Sequence, residues 1–419
     1  MLEKHIDTVV VGAGQAGLSA SEHLTRYGCP HVILEQHSIG ESWRNDRWDS
    51  LVSNGPAWHD RLPTLEIPGV GAQDFATAKQ LVAYLELYAK NIAAPVRTGI
   101  QVRRVQRLVG KRGFSVETSE GTITCRNIIA ASGTMRTPRQ STLIPKSKDI
   151  LQLHSCEYRN PDQLNPGATL VVGSGSSGTQ IAVELMVSGR TVYLSLGQNM
   201  RPPRSYRGMD FAWWSSVLGM WDATPIEGQT HTTIAVSGAH ISQTIDYRKL
   251  NAMGMRLVGQ TSGFENGNVV FRNTLKGSID YSNLKYLESL KLADEYIMRN
   301  GLDLPDDPDA WYVPPITNDE MYPIRRLNLK DDNIRNIIWS HGFQLKYDWI
   351  DVDEALKDDG SPIHTYGISP QAGLYFLGLP WQINRSSSFL WGEWNDAAFI
   401  AKTIWYRGNY WKYSNPEKG

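Results

Sequence analysis

Two glycine-rich turns, each set between an apolar strand-like run and a helix-like run, constrain this chain more than any other feature of its sequence. The first turn lies in VVVGAGQAGLSA and the second in LVVGSGSSGTQI, and their glycines are Gly12, Gly14 and Gly17, then Gly173, Gly175 and Gly178. In such a turn the first glycine permits the tight reversal, the second lets a pyrophosphate approach the backbone, and the third lets helix and strand pack closely. The helix that follows offers its N-terminal amides to an anion. The pattern predicts two dinucleotide-binding units in one chain.

The first unit also carries an acidic residue at the position that a dinucleotide site requires. A second strand, HVILE, ends in Glu35, which lies 23 residues after Gly12. A carboxylate at this position accepts hydrogen bonds from a ribose diol. The alternative is a tight turn without a ligand, but the complete unit of strand, turn, helix, strand and acid favours a cofactor. The predicted contacts of this unit are Gly12, Gly14, Gln15, Ala16, Gly17, Glu35 and Gln36.

The second unit differs where the first has its acid. Its strand, TVYLSL, has Ser195 at that position, and no acid follows before Asp210. Three arginines come there instead: Arg201, Arg204 and Arg207. Arginine binds a 2′-phosphate through charge-assisted hydrogen bonds, whereas a carboxylate repels it. This predicts NADPH rather than NADH, with a solvated basic loop as the alternative for the arginines. The predicted contacts of this unit are Gly173, Gly175, Ser176, Ser177, Gly178, Ser195, Arg201 and Arg204.

Two dinucleotide sites in one chain suggest a hydride relay, in which a pyridine nucleotide reduces a flavin and the flavin carries out the chemistry. We expect the first unit to hold FAD and the second to hold NADPH. The nearest rival is a disulfide reductase with the same two cofactors, which needs a reactive cysteine pair that is usually close in sequence. The three cysteines of this chain, Cys29, Cys125 and Cys156, are widely spaced.

Composition excludes several other classes of protein. The formal net charge is −1 over 419 residues, so there is no electrostatic case for a nucleic acid or an anionic membrane as the main partner. No apolar run approaches the roughly 20 residues of a spanning helix, and MLEKHIDTVVVG runs directly into a strand without room for a signal peptide. The odd, scattered cysteines imply neither a disulfide framework nor a metal cluster. We expect a cytoplasmic monomer or homodimer.

The order of strand-like and helix-like runs predicts the fold class. The two kinds of run alternate along the chain, which is typical of an α/β fold with parallel sheets and crossover helices. The stretch RNPDQLNPG reads as a connection into a second unit, whereas NIIWSHG and GLYFLGLPW look like parts of the first unit resumed. We predict two Rossmann-like dinucleotide-binding domains, with an NADPH-binding domain (165–325) inserted between the two parts of an FAD-binding domain (1–164, and 326–419 with a C-terminal helix).

Several sequence blocks resemble class B flavin-dependent monooxygenases, in particular a bacterial flavoprotein branch similar to the flavin-containing monooxygenases. The resemblance covers nearly the whole chain, and the blocks stand in the order of the family. They are VVVGAGQAGLSASEHL, IGESWRNDRWDSLVSNGPAW, LQLHSCEYRNPDQLNPG, LVVGSGSSGTQIAVEL, VYLSLGQNMRPPRSYRG, NIIWSHGFQLKYDWI, GLYFLGLPW and SSSFLWGEWNDAAFIA.

The resemblance implies roles for residues outside the two turns. Asn54 matches the family's asparagine beside the reactive edge of the flavin and is the predicted catalytic residue, with a turn cap before Gly55 as the alternative. His154 matches a fingerprint position that supports the domain interface. Further matches predict cofactor contacts in the FAD-lining block, in the two interdomain linkers and in the late strand: Trp43, Arg44, Trp48, Ser132, Gly133, Gly342 and Leu379.

The resemblance also implies a reaction. NADPH reduces FAD, oxygen adds to form a C4a-(hydro)peroxyflavin in a dry pocket, and one oxygen atom passes to a small apolar or (hetero)aromatic organic substrate at N, S or C. Tyr158 stands where Baeyer–Villiger enzymes have tryptophan, which leaves ketone oxygenation as an alternative, beside an NADPH oxidase or flavin-linked reductase without oxygenation. A non-enzymatic redox sensor is a third class. Candidate substrate-wall residues are Trp213, Trp214, Trp349, Trp381 and Trp391.

Overall fold

Two large sheets organise the protein, each built around one of the glycine turns. The computed structural model describes residues 5–139, 141–226, 233–238 and 243–414. The first strands are β1 (His5–Val11), β2 (His31–Leu34), β3 (Val96–Arg97), β4 (Val102–Arg107), β5 (Phe114–Thr118), β6 (Gly121–Ala130), β7 (Thr137–Pro138), β8 (Leu151–His154), β9 (Ala168–Val172), β10 (Val192–Ser195) and β11 (Asn199–Met200). The later strands are β12 (Ser205–Tyr206), β13 (Met209–Asp210), β14 (Thr233–Ile234), β15 (Arg256–Val258), β16 (Thr261–Glu265), β17 (Asn268–Phe271), β18 (Arg326–Asn328), β19 (Ile334–Trp339), β20 (Phe343–Gln344), β21 (Ile350–Asp351) and β22 (Leu374–Phe376).

Nine α-helices connect these strands in the described part of the chain. They are α1 (Gln15–Arg26), α2 (Glu41–Asn45), α3 (Ala78–Asn91), α4 (Ser176–Val187), α5 (Phe211–Val217), α6 (Tyr247–Ala252), α7 (Leu275–Asn300), α8 (Asn318–Met321) and α9 (Glu393–Ser414). Short 3₁₀ turns cover Pro161–Gln163, Pro308–Trp311 and Arg385–Ser388.

The first sheet has a parallel centre with an antiparallel extension. Strands β3, β2, β1 and β6 lie side by side in parallel, and β22 pairs in parallel with the end of β6. Strand β5 pairs antiparallel with the start of β6, and β4 pairs antiparallel with β5. Strand β21 pairs in parallel with β4. The apolar runs of β1 and β6 suit a sheet covered on both faces, and α1, α3 and α9 share the core that covers one of them.

The second sheet is parallel throughout, in the order β15-β10-β9-β19-β8. Helix α4 connects β9 to β10 and packs into the core that this sheet buries. A separate antiparallel sheet of β16, β17 and β18 leads into β19. Both sheets therefore present a strand, a glycine turn and a helix in the same arrangement, which confirms the predicted α/β fold.

One strand assignment was wrong. The run NIIWSHG was expected in the resumed first unit, but β19 lies between β9 and β8 in the second sheet. Strand β8 precedes the predicted start of the second unit at 165 and belongs to the same sheet. An apolar strand fits the middle of either sheet, so its composition does not distinguish the two. The late strand GLYFLGLPW, by contrast, pairs with β6 as expected. The domain bounds themselves stay a prediction.

The two glycine turns are steric copies of each other. Gly12 and Gly173 have φ angles of 110° and 109°, in the region that favours glycine. A Cβ on Gly17 would lie 1.9 Å from the carbonyl oxygen of Gly12, and one on Gly178 would lie 1.9 Å from that of Gly173. Each helix therefore approaches its strand more closely than any side chain would allow.

This close approach predicts a difference between two Gly→Ala substitutions. Gly178→Ala should lower the free energy of unfolding by about 1–3 kcal/mol, because α4 must move away from β9. A Cβ on Gly277, inside α7, would meet no heavy atom within 4 Å, so Gly277→Ala should leave stability unchanged or raise it by about 0.5–1 kcal/mol. Urea unfolding followed by circular dichroism measures both. Equal losses for the two variants would contradict the steric assignment.

Candidate functional site

The first glycine turn exposes the features of a phosphate site. Helix α1 begins after Gly14, with no capping side chain and no acid in its first turn, so its N-terminal amides are available to an anion. Glu35 ends β2 beside them, and its carboxylate accepts hydrogen bonds from the amides of Ala13 and His37, both at 2.9 Å. The structure thus brings the predicted acid to the mouth of the predicted turn.

A buried carboxyl that sequence reasoning missed faces the same turn. Glu393, the first residue of α9, is 2% exposed, and its Oε1 has no hydrogen-bond partner in the described part of the chain. Its Oε2 lies 3.2 Å from the position of a Cβ on Gly378, which also meets Ala16. Burial raises the pKa of Glu393 well above its ordinary range, partly opposed by the side chain of Gln15. A protonated carboxyl here is a hydrogen-bond donor directed at the first turn.

A second acid lies one turn further along α9. Burial raises the pKa of Asp396 to about 7, although Ser387 lowers it, and Asp396 Oδ2 has no partner. The signal for both residues was visible in WGEWNDAAF, where two acids open an otherwise apolar helix. Such acids read as ordinary N-terminal helix residues, so their burial was not foreseen.

Other predicted FAD contacts are placed unevenly. The indole N–H of Trp43 donates to Gln15 Oε1 at 3.0 Å, so Trp43 adjoins the first turn. Arg44 does not, because its guanidinium pairs with Glu86 at the surface. Trp48 is buried in a core cluster shared with the second sheet, rather than beside the turn.

The linker residues lie at the ends of the central strands. A Cβ on Gly12 would lie 2.5 Å from the Ala131 carbonyl and 3.1 Å from the Cα of Ser132, so the segment that carries Ser132 and Gly133 crosses the first turn. In the second turn, a Cβ on Gly173 would lie 2.3 Å from the carbonyl oxygen of Ser340, so the segment that carries Gly342 crosses this turn in the same way. Leu379 is buried directly after Gly378, and Gln36 follows Glu35 in a half-buried position.

His154 bridges to the second linker, as the resemblance implied. Its Nε2 lies 3.0 Å from the Gly342 carbonyl, and its ring packs against Phe343 at 4.8 Å between centroids. Burial lowers the pKa of His154, opposed by the Gly342 carbonyl and Glu157. Its position is that of a residue that holds the linker in place.

The second glycine turn has the same open helix start. Helix α4 begins at Ser176 after Gly175, with no capping side chain and no acid in its first turn. The hydroxyl of Ser176 donates to the Ile234 carbonyl at 2.9 Å, so it is not directed into the turn, whereas Ser177 is half-buried. Ser195 is also turned away, because its buried hydroxyl donates to the Gly259 carbonyl at 2.9 Å.

The three arginines do not form the expected 2′-phosphate pocket. Arg201 is 2% exposed, donates to Asn283 Oδ1 and lies over the ring of Tyr286 at 4.3 Å. Burial lowers its pKa, opposed by Asp246 at 3.6 Å. Arg207 pairs with Asp294 and Asp306. These two guanidinium groups pair with Asp246 before α6, with Asn283 and Asp294 of α7 and with Asp306 in the loop beyond, instead of pointing into a common open pocket.

Arg204 has a different role, at the junction of the two units. It is buried, pairs with Asp210 and donates to the backbone carbonyl of Asn54 at 2.5 Å. On the other side of the same residue, Gln180 of α4 donates its Nε2 to Asn54 Oδ1 at 3.0 Å. The bond from Gln180 fixes the amide orientation and directs the Asn54 Nδ2 donor elsewhere. Asn54 is therefore held from the second unit by two hydrogen bonds.

Close backbone contact reinforces this junction. A Cβ on Gly238 would lie 2.1 Å from the Ser53 carbonyl and 2.6 Å from the Phe75 ring. Gln180 also donates to the Val236 carbonyl at 2.7 Å. The segment 235–238 thus packs directly on the loop that carries Asn54. Gln180 was missed in the sequence, where it is a polar residue within the apolar helix after the second turn.

The five candidate tryptophans separate into packing and site residues. Trp213 and Trp214 pack against Tyr296 of α7, and Trp349 packs in the core of the first sheet. Trp381 lies under the guanidinium of Arg385 at 5.2 Å. The fifth lies in an aromatic cluster near Asn54: Trp391 contacts His59 and Trp221 at 4.8 and 5.5 Å between centroids.

Other chemistries find no support in the described residues. All three cysteines lie there and none is in a disulfide; Cys125 is buried and its thiol pKa is raised by burial. No group of three His, Cys, Asp or Glu side chains in the described ranges is arranged to hold a metal ion. None of the described helices is both long and apolar enough to cross a bilayer.

A hollow of about 530 Å³ opens between Pro166 and Asn333, at the edge of the second sheet opposite its glycine turn.

Comparison with known proteins shows which families and structures this chain is similar to. Residues 9–207 match the family model described as pyridine nucleotide-disulphide oxidoreductase. The indole-3-pyruvate monooxygenase YUCCA1 of Oryza sativa subsp. japonica is 29% identical over 184 residues, which cover 43% of this chain and 45% of that protein. The structure of the flavin-containing monooxygenase from Stenotrophomonas maltophilia is similar with a TM-score of 0.65 at 20% identity, over 96% of this chain and 98% of that one.

A relative of full length decides the family. The oxidoreductase CzcO of Bacillus subtilis strain 168 is 31% identical over 403 residues, which cover 95% of this chain and 99% of that protein. The resemblance to the flavin monooxygenases is confirmed by the fold and by these relatives together. The chain belongs to the CzcO family of oxidoreductases, within the flavin monooxygenase-like class.

Proposed function

We propose that this protein is an NADPH-dependent FAD monooxygenase that inserts one atom of O2 into a small apolar or (hetero)aromatic substrate at N, S or C. One observation carries the proposal. The two phosphate-binding turns belong to different sheets, yet Asn54, in the first unit, is held by Gln180 from the helix of the second turn and by Arg204. This contact joins the first unit to the helix of the second turn, and hydride transfer between two bound nucleotides requires that their two units meet.

The residues of the first turn fit FAD. The open amides of α1 suit a pyrophosphate, and Glu35 suits a ribose diol. Glu393, whose Oε1 has no partner among the described residues, suits a polar group of the cofactor near Gln15. The residues of the second turn fit NADPH through the open amides of α4 and the lack of a carboxylate at Ser195. Bound FAD supplies both hydride acceptance and reaction with O2.

The protein's own contribution is to position groups and exclude water. Asn54 directs its Nδ2 donor to one place because Gln180 holds its oxygen. Two buried aromatic side chains lie at the same junction, Phe211 near the Arg204 guanidinium and Trp221 against Phe211, and side chains of this kind exclude water. A dry site with fixed donors slows the loss of peroxide, which is the step that separates a monooxygenase from an oxidase.

The alternatives are less well supported. A disulfide reductase needs two neighbouring thiols, which this chain lacks. For ketone oxygenation the family's tryptophan is replaced by Tyr158, which is fully buried and donates to Glu184 at 2.7 Å, so it serves packing. The cytoplasmic location, the monomeric or homodimeric state and the domain bounds stay predictions; we propose that the NADPH-binding domain includes β8 and β19.

The proposal predicts how much product forms per NADPH consumed, and which substitutions lower that yield. With a productive amine, sulfide or aromatic substrate, the product should account for most of the NADPH consumed. Asn54→Ala should keep NADPH oxidation but lower the yield of product about tenfold in favour of peroxide, because a positioned donor is lost. Gln180→Leu should shift the yield in the same direction. Mass spectrometry of product and a peroxide assay measure both quantities.

The matched control is Asn300→Ala, at the exposed end of α7. It should leave the ratio of product to peroxide unchanged. Quantitative recovery of NADPH equivalents as peroxide with every amine, sulfide, ketone and aromatic tested would overturn the monooxygenase proposal and leave an oxidase.

The buried acid on α9 predicts a pH dependence of stability. Asp396 has a folded-state pKa of about 7, above its ordinary 3.8, so its contribution to stability is present at low pH and is lost as the pH rises through 7. As the pH rises from about 4 to about 7, the urea midpoint of the apoprotein should therefore decrease, and above about pH 7 it should level off. Asp396→Asn, which stays neutral, should flatten this fall, and exposed Asp331→Asn should not. A slope unchanged by Asp396→Asn would show that this carboxyl titrates normally.

A further inference from the structure

Three buried ring nitrogens that have no hydrogen-bond partner among the described residues lie in one aromatic cluster. They are His59 Nε2, Trp221 Nε1 and Trp391 Nε1, and we call these three residues the His59 cage. The ring centroids are 4.8 Å apart for His59 and Trp391, 5.8 Å for His59 and Trp221, and 5.5 Å for the two indoles. A buried polar atom without a partner costs about 1–3 kcal/mol, so three in one place indicate a site for a polar ligand.

The histidine of the cage is oriented by a carboxylate. His59 Nδ1 lies 2.7 Å from Asp60 Oδ1, and Asp60 Oδ2 accepts the backbone N–H of Gly55 at 2.7 Å. An ionised carboxylate only accepts hydrogen bonds, so it holds the imidazole proton on Nδ1. With the proton on Nδ1, the buried Nε2 is a hydrogen-bond acceptor.

The cage lies beside the predicted catalytic residue. His59 and Asp60 belong to the loop that follows Asn54. Trp221 follows α5, whose first turn is capped by Asp210, the partner of Arg204. Trp391 stands two residues before Glu393, which faces the first glycine turn. Three separate segments of the chain therefore meet at the cage, and one of them is the loop that carries Asn54.

We propose that the His59 cage binds the substrate, and that this substrate is a planar aromatic or enolic compound with an ionisable O–H group. Its hydroxyl donates to His59 Nε2, and its oxygen accepts from the indole N–H groups of Trp221 and Trp391. The indole N–H is a donor only, so the ligand must supply the acceptor. This inference rests on the proposed function, because it assigns the cage to the compound that is oxygenated.

The proton transfer explains why a base is placed here. The O–H bond breaks, an N–H bond forms on His59 Nε2, and the electron pair stays on the substrate oxygen and delocalises into the ring. Asp60 stabilises the resulting imidazolium. The ring carbon becomes more nucleophilic towards an electrophilic oxygen. Overall, substrate, O2, NADPH and one proton give hydroxylated substrate, water and NADP⁺.

A cation lies on the segment that packs against the cage. The backbone N–H groups of Arg385 and Ser386 donate to the carbonyls of Ala223 and Trp221 at 2.9 and 3.2 Å. The Arg385 guanidinium forms an ion pair with none of the described carboxylates.

The test uses the oxidised FAD holoenzyme without NADPH, so it does not depend on turnover. The probe is 4-nitrophenol, whose ionised form absorbs visible light, at a pH where the free compound is mostly neutral. Binding should produce the phenolate band, and 4-nitroanisole, which has the same plane but no O–H, should bind at least about tenfold more weakly. Equal affinity of the two compounds would overturn the proposal.

Variants assign the effect to the cage. Trp221→Phe and Trp391→Phe keep an aromatic ring but remove the N–H, and each should weaken binding of 4-nitrophenol about tenfold. His59→Gln should abolish the phenolate band. Asp60→Asn should reduce the band, and it serves as the second variant if His59→Gln does not fold. The matched control is Trp213→Phe on α5, which should change neither quantity.

Three outcomes contradict the inference. Unchanged 4-nitrophenol binding in all cage variants would show that the probe binds elsewhere. Loss of FAD from the cage variants, with probe affinity per bound FAD unchanged, would show that the nitrogens serve the cofactor. Efficient oxygenation of amines or sulfides by an enzyme that does not bind 4-nitrophenol would refute the cage and leave the proposed function intact. Binding of 4-nitrophenol with the phenolate band, but without oxygenation of any compound, would refute the proposed function and leave the cage intact.

Discussion

Both nucleotide cradles depend on one steric constraint, the absence of a side chain where each helix meets its strand. The carbonyl oxygen of Gly12 occupies the place of a Cβ on Gly17, and that of Gly173 occupies the place of a Cβ on Gly178. Because the helices approach so closely, their N-terminal amides stand at the ends of β1 and β9. The same constraint brings Gln180, on the second helix, within reach of Asn54.

The differences between the two copies determine their separate roles. The first turn is bordered by two carboxyls: Glu35, which accepts a hydrogen bond from the backbone N–H of Ala13, and Glu393, whose pKa is raised by burial. The second turn has no carboxylate at the position of Ser195. We propose on this basis that the first turn holds the flavin and the second the nicotinamide nucleotide, and the loop of Asn54 contacts the helix of the second turn.

The local pattern of the sequence predicts most of the fold but less of the site. The turns, the parallel sheets and Glu35 follow from short-range signals that a strand, a turn and a helix each carry. The placement of β19 does not, because an apolar strand fits either sheet and only tertiary pairing decides. The arginines mislead for a similar reason: a cluster in sequence predicts a phosphate pocket, but Arg201 and Arg207 compensate distant acids, Asp246 and Asp294. Glu393, Gln180 and His59 become visible only once α9, α4 and the Asn54 loop are brought together.

The most direct measurement places an aspartate at the second glycine of each turn in separate variants. Gly14 and Gly175 have φ angles of −80° and −71° and cap their helices, positions where aspartate is well tolerated, but its charge repels a phosphate. Folded Gly14→Asp protein should lose FAD. Gly175→Asp protein should keep FAD that dithionite still reduces, while its rate of reduction by NADPH falls at least about tenfold. Loss of FAD from the Gly175→Asp protein, or normal NADPH reduction of it, would contradict the assignment of the two cradles.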